Sequence, residues 1–336
     1  MPGDTMTRLP RASVVVPVKD GARHLPGCLE AIGAQDVPRS DLEVLVVDGG
    51  SADGSNEVAT RVLHRLGLPG DVVTGDVGTT PANLNLGLSK ARGEILCRVD
   101  VRARIPPQYV RTCTEILERA DVAVVGGGLV ALPAIAGEVA VGIARAHNNR
   151  WAMGLGRYRA GSRAGPVDTV YLGAARVRDL RAVAGWDERL VQNQDFDLNR
   201  RLSRFGTVWA ETGLRVGWLA PDSLRAVIRR YHGFGRWKVR YWRLTGDPPR
   251  ARQWLLLAGA PLPAAVALAS VLHRRHRHRR VTGLAVLATV GLLLLDDRGS
   301  TGPAGGMNSR LVAATTLVLA AVGWLSGVAL EAASRR

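Results

Sequence analysis

The sequence predicts an α/β fold built on a mostly parallel sheet, followed by a membrane-associated segment. Three observations carry this. Short apolar runs ("SVVVPV", "EVLVVD", "EILCRVD") recur at intervals filled by helix-periodic stretches. Two of the runs end on an aspartate, Asp48 and Asp100. The last third holds three long apolar segments. Continuously apolar strands separated by helices imply a parallel sheet covered on both faces. In such sheets ligands bind beyond the carboxyl ends of the strands, where Asp48 and Asp100 fall.

In order along the chain, residues 13–18 read as a buried strand and 24–35 as a helix. Residues 42–48 form a second strand, followed by a helix over 56–66. Val72 and Val73 mark a short strand, and a helix runs over 81–91. "EILCRVD" is the next strand, ending at Asp100, and "PPQYVRTCTEILERA" is a helix with prolines at its start. "DVAVVGG" closes the series. "VVGGGLVALP" lacks the G-x-G-x-x-G spacing of a dinucleotide fingerprint and reads as a close-packed turn. A helix through "GEVAVGIARAHNNRWAMG" and a Gly/Arg-rich loop, "GLGRYRAGSRAGP", come next. They are followed by a strand-like "DTVYLGAARV" and a helix in "NQDFDLNRRLSRFG" with Asp at its opening. The glycines of "DGGSADGS" either let a ligand approach the backbone closely or form an ordinary strand-to-helix turn.

The chain has 336 residues, 46% of them hydrophobic and 22% charged, which excludes a disordered chain. Its formal net charge is +16. The cations concentrate in "RRYHGFGRWKVRYWRL" and "HRRHRHRR", beside the most apolar part, so a membrane surface explains them better than nucleic acid. Cys28, Cys97 and Cys113 show neither a disulfide framework nor metal spacing, which fits a reducing compartment. No signal-peptide h-region precedes the first strand. The expected organisation is an N-terminal tail (1–10), a catalytic domain (11–222), an amphipathic interfacial region (223–253) and a membrane region (254–336).

Taken together, the motifs resemble family 2 of the glycosyltransferases, inverting enzymes of GT-A fold, over roughly residues 13–237. "VVVPVKDGARHLPGCLEAI" is similar to the family's opening strand and helix, and "VVDGGSADGS" to its nucleotide-binding turn. "NLNLGLSKARGE" resembles the Asn-x-Gly segment, and "RVDVRARIP" stands in the place of the DxD motif. "GWDERL" followed by "NQDFDLNRRL" matches the acceptor-side signature, and "GRW" the terminal Arg-Trp motif. "MGLGRYR" and "VDTVYLGAARVR" resemble the membrane-bound enzymes of exopolysaccharide and cell-envelope assembly, of succinoglycan type.

This resemblance implies a nucleotide-diphospho-sugar transferase fold and places Pro17, Asp48, Asn85, Asp100 and Arg102 around the donor. Asp48 would contact the base, and Asp100 the ribose and metal-diphosphate. Asp195 would deprotonate the acceptor hydroxyl, with Gln194, Asp168, Arg236 and Trp237 on the acceptor or auxiliary side. A UDP-sugar is the implied donor, a lipid-linked or growing glycan the acceptor, and a divalent cation (Mg²⁺ or Mn²⁺, on Asp100) the implied cofactor.

Two departures bear on the chemistry. Gln194 stands where the family commonly has Glu, removing an anion that would raise the base's pKa. Arg102 occupies the usual second metal-ligand position, and a guanidinium offers only donors. Either Asp100 alone holds the cation with water and phosphate oxygens, or Arg102, with Arg104 or Arg236, neutralises the diphosphate directly. Asp53 is expected to cap a helix, and His147 and Asn148 to sit on a helix surface.

At the membrane end, residues 223–244 carry apolar side chains at helical spacing between arginines, as an interfacial helix would. Of the apolar segments, 254–272 contains Pro261 and Pro263, 281–295 is only about 22 Å long as a helix, and 311–330 is long enough to span. The positive-inside rule keeps "HRRHRHRR" cytoplasmic, so the first segment is expected to be re-entrant or to lie in the interface, and the other two to form a hairpin. The implied location is the cell membrane with the catalytic domain in the cytoplasm. The rival readings are a polyprenyl-phosphate sugar synthase and a non-catalytic scaffold of the same fold.

Overall fold

Four apolar segments pair in parallel at the centre of the chain: β1 (Ala12–Val18), β2 (Leu42–Asp48), β3 (Gly70–Thr74) and β4 (Ile95–Arg98). They belong to a computed structural model that describes residues 9–149, 163–249 and 307–334. Its chain divides into two units, Met1–Val130 with Arg157–Trp218, and Ala131–Gly156 with Leu219–Arg336.

In the first unit every residue of β1 and β2 is buried, as a strand covered on both faces must be. Successive side chains leave a strand on opposite faces, so two cores form. Val14, Val16 and Val18 pack with α1 (Leu25–Gly33), α2 (Ser55–Leu66) and α4 (Tyr109–Leu117). Val15, Leu45 and Val47 pack with Leu84 and Leu88 of α3 (Thr80–Lys90). Cys28, Cys97 and Cys113 are buried free thiols, and burial pushes the first two up to about 12.

Beyond β4 the sheet becomes mixed. With β5 (Ala103–Arg104), β6 (Val122–Leu132), β7 (Gly165–Pro166), β8 (Tyr171–Arg176) and β9 (Thr207–Leu219), the order is β3-β2-β1-β4-β8-β6-β9-β5, with β7 on β9. β8 is antiparallel to both β4 and β6, so β6 keeps the direction of the first four strands. The sequence "VVGGGLVALP" is therefore strand, not a turn. Its glycines serve packing, since a Cβ on Gly126 would lie 2.6 Å from the Val170 Cβ. The first unit also holds α6 (Val177–Ala182) and α7 (Gln194–Leu202).

The second unit contains α5 (Glu138–Asn148), α8 (Leu224–Thr245) and α9 (Met307–Ala333). His147, expected on a helix surface, is buried, its ring 6.0 Å from that of Tyr231, and the Asn148 amide pairs with the backbone of Ala131. The N-terminal part of α9 packs on α5 and its C-terminal part on α8. A Cβ on Gly142 would meet Val312, and one on Gly327 would lie 2.1 Å from the His232 carbonyl. Glu331 of α9 is buried and accepts from Arg236 (2.9 Å) and Arg240 (2.7 Å) of α8. Among the described residues one helix is long and apolar enough to cross a membrane, Asn308–Ala333, with a mean hydropathy of 2.0. The expected Gly/Arg-rich loop is largely, and the segments at 254–272 and 281–295 are wholly, outside the described residues.

Candidate active site

The loops that leave β1 and β2 are laced together at the carboxyl edge of the sheet. Asp48, opposite Val18 in the register, is buried and accepts from the Ser51 amide (3.1 Å) and hydroxyl (2.5 Å). The Asp20 amide donates to Ser51 Oγ, Gly21 to Ser55 Oγ, and Ala22 to Asp53 Oδ2, while Ala52 donates to Asp20 Oδ1. Asp53 also accepts from the Ser55 amide and hydroxyl, which pulls its carboxyl below the ordinary aspartate range. It is not the cap of α2, which is Gly54, and is committed to the turn before that helix. Gly49 must be glycine, because a Cβ there would stand 2.7 Å from Asn83 Nδ2 and 2.8 Å from Gly78 Cα. Asn83 in turn reaches the carbonyls of Val18 and Val47 at 3.4 Å, tying the two strand ends. Pro17 is buried in β1 opposite Val47.

Asp195 reaches the same unit from the far side of the sequence. Asn193 adopts a left-handed conformation (φ 67°), which a short amide side chain tolerates, and launches α7 with Gln194 and Asp195 in its first turn. Arg201, one turn on from Asp197, pairs with it at 2.7 Å and donates to the carbonyls of Val183 and Gly185. That fixes the loop preceding α7. Asn85 fixes the same loop from below, donating to the Trp186 carbonyl (2.9 Å) and Glu188 (2.9 Å) and accepting from the Trp186 amide (2.8 Å). The Asn85 amide, assigned to the donor from the sequence, is thus occupied by the loop before α7.

Arg98 joins the two halves. Buried at the end of β4, it donates from Nε to Asp100 Oδ1 (2.7 Å) and from Nη2 to Asp100 Oδ2 (3.3 Å), and its Nη1 meets Asp195 Oδ1. Burial alone would lower its pKa, but Asp100 and Asp195 outweigh it and the guanidinium is held charged. The Asp195 carboxyl is pushed up, chiefly by desolvation, with Arg98 opposing and Asp100 adding to the rise. Its side chain keeps 44% of its accessible surface, so the rise is smaller than full burial would give. Arg98, Gly173, Trp186, Asp195, Leu198 and Asn199 line one cavity. The buried indole N–H of Trp186 interacts with the Asp195 carboxylate and, like Arg98, opposes the rise.

Asp100 and Asp195, 95 residues apart, are therefore one constellation. Asp48 lies at the same sheet edge, since β2 and β4 both flank β1. Gln194 is buried beside Asp195. Arg102 is half-buried in the turn after Asp100, whereas Arg104 folds back over Gly27 of α1. Asp168 is exposed ahead of β8. Arg236 and Trp237 belong to the second unit, where Arg236 pairs with Glu331 and Trp237 lies under the Arg240 guanidinium. Arg98 was not singled out from the sequence. Its signal was there: a charge inside an otherwise apolar strand is tolerated only beside carboxylates.

A divalent cation fits this donor set poorly. Both oxygens of Asp100 are taken by Arg98, position 102 is a guanidinium, and among the described residues no three His, Cys, Asp or Glu side chains converge.

Acidic residues at the carboxyl edge of a mixed, mostly parallel sheet, with a carboxylate brought in on a following helix, fit a GT-A-like α/β fold. Residues 13–161 match the model of Glycosyl transferase family 2, and with the relatives below this makes the chain a glycosyltransferase. It is 25% identical over 266 residues to the succinoglycan biosynthesis protein ExoA of Rhizobium meliloti (strain 1021), covering 77% of this chain and 78% of ExoA. The solved mannosyltransferase PcManGT of Pyrobaculum calidifontis, in complex with GDP-Man and Mn²⁺, shares the fold. It superposes with a TM-score of 0.61 at 20% identity, covering 95% of this chain and 88% of that one. S. aureus TarS 1–349 in complex with UDP-GlcNAc superposes with a TM-score of 0.50 at 12% identity, covering 95% and 90%.

Proposed function

We propose that this chain is an inverting transferase that moves a sugar from a nucleoside-diphosphate donor to a hydroxyl of a lipid-linked or growing glycan, in exopolysaccharide or envelope synthesis. The observation that carries the reading is the convergence of Asp100 and Asp195 on Arg98 inside a family 2 domain. Asp48 and the laced turn hold the nucleoside, and Asp100 faces the ribose and diphosphate. In one displacement the acceptor oxygen bonds to the anomeric carbon as the bond to the diphosphate breaks, and Asp195 takes the hydroxyl proton. A carboxylate whose pKa is raised by partial burial is a stronger base than a solvated one, which suits that role. Arg102 stands next to the departing diphosphate, where a guanidinium stabilises developing negative charge.

The similarity to ExoA and the apolar helix α9 support attachment to a membrane, with the donor site facing the cytoplasm where nucleotide-sugars are made. UDP-sugars are the favoured donors, with GDP-sugars the first alternative. Thermal-shift screening of purified full-length protein against both sets, followed by nucleoside-diphosphate release, tests the reading. A protein stabilised by none and releasing none would refute it.

A further inference from the structure

The place where two acidic side chains face one another in this site is filled by the chain itself. Arg98 makes three contacts there, two to Asp100 and one to Asp195, from a strand whose other residues are all buried and apolar. A guanidinium presents donors in a rigid fork, so it can bridge two carboxylates at fixed separation and orientation. A divalent cation needs those same oxygens as its ligands.

We propose that Arg98 is the built-in cation of this site: it holds Asp195 and Asp100 in register and takes the position that a divalent metal would need, so that transfer runs without one. Three further features agree. Arg98 is fixed by the backbone of β4, level with Val15 in the register, and cannot swing out as a surface arginine does. The third position of the metal-binding motif, its usual second ligand, is Arg102, which adds positive charge and removes a ligand. With the oxygens of Asp100 and Asp195 engaged by Arg98, no other His, Cys, Asp or Glu among the described residues stands by as a substitute ligand. The neighbour solved with GDP-Man and Mn²⁺ shares the fold at 20% identity, a distance at which the source of positive charge can change while the scaffold stays.

The proposal rests on reading this constellation as the transfer centre, so its first test uses no turnover. Mn²⁺ alone is titrated into the purified full-length protein and bound metal is followed by electron paramagnetic resonance. The wild-type chain is expected to bind none at millimolar Mn²⁺. Arg98→Met, checked for folding by circular dichroism, is expected to gain one bound ion that the double variant with Asp195→Asn loses. Stoichiometric binding by the wild type, or none by a folded Arg98→Met, overturns the proposal.

The second test is kinetic. Wild-type turnover with a nucleotide-sugar is expected to be unchanged by chelator, and strict dependence on added Mg²⁺ or Mn²⁺ would overturn it. Arg98→Lys keeps the charge but loses the fork, so kcat should fall about a hundredfold from misplacement of the base. KM for the donor should hold. A lysine variant with unaltered kcat would show that positioning by Arg98 is not needed. Should the protein turn over no donor at all, the function proposed above fails while the Mn²⁺ result still stands by itself.

Discussion

Replacing Asp195 by asparagine removes one charge and almost no shape. The asparagine oxygen still accepts from Arg98 Nη1, and Arg98 keeps both of its contacts to Asp100. Stability should therefore change by less than about 1 kcal/mol, because desolvation of the Asp195 carboxylate and its attraction to Arg98 oppose one another. Catalysis should suffer far more. A positioned general base contributes about 10²- to 10⁴-fold, or about 2.7–5.5 kcal/mol of barrier. The assay is transfer of labelled sugar from the donor selected by thermal shift, with donor affinity measured by calorimetry. The expected result is kcat down by about a thousandfold, with donor affinity and melting temperature near those of the wild type. Transfer within about tenfold of wild type would remove Asp195 as the base. A matching loss of donor affinity would move it to the donor side.

Three further outcomes follow from the geometry. Asp48→Asn keeps an oxygen for Ser51 but loses the charge, and should weaken nucleoside-diphosphate binding about tenfold, the worth of one charge-assisted hydrogen bond; unchanged affinity by calorimetry would argue against the base contact. Gly185→Ala puts a side chain at φ 65° with its Cβ 2.3 Å from Asn85 Oδ1, so melting should reveal a loss of about 2–3 kcal/mol. Buried Glu43 feels desolvation, but hydrogen bonds from Arg92 and Ser13 prevail and hold its carboxyl below the ordinary glutamate range. A depressed folded-state pKa stabilises the fold above the unfolded value and loses that contribution as pH falls through the folded one. Glu43→Gln should therefore be less stable than wild type by about 1–3 kcal/mol at neutral pH, with the gap closing below pH ~4; a gap constant with pH would contradict this.

How much of this was readable from the residues depends on burial. β1, β2 and β4 announce themselves because strands covered on both faces must be apolar throughout. β9 escapes notice because one face is partly exposed and the run "TVWAETGLRVGWL" mixes Thr, Glu, Gly and Arg into its alternation. The acids were legible through their motifs, but their division of labour was not. Asn83 and Asn85 are two residues apart on one helix, so they point to different sides. No sequence pattern tells that Asn83 ties the strand ends while Asn85 clamps the loop before α7. Arg98 lay hidden for a related reason: its partners stand two and 97 residues away, and only the fold brings the second within reach.

The same reasoning orients α9. Its inward face carries Ser309, Thr316, Ala320, Gly323, Gly327 and Glu331, small or polar, while Leu311, Val318, Val322 and Leu330 are each more than half exposed. A helix in water does the reverse. Exposed apolar area costs about 25 cal/mol per Å² there, a cost absent in hydrocarbon, where small residues instead let helix backbones approach. Glu331 sets the limit of immersion. Its charge is compensated by Arg236 and Arg240 on α8, a helix that also carries exposed arginines at positions 225, 229, 230 and 243. Those heads need water or lipid phosphates, so a bilayer that received α9 would keep α8 at its polar boundary. Because α9 is tied to α8 through Gly327 and Glu331, its carboxyl end would stay at that boundary too.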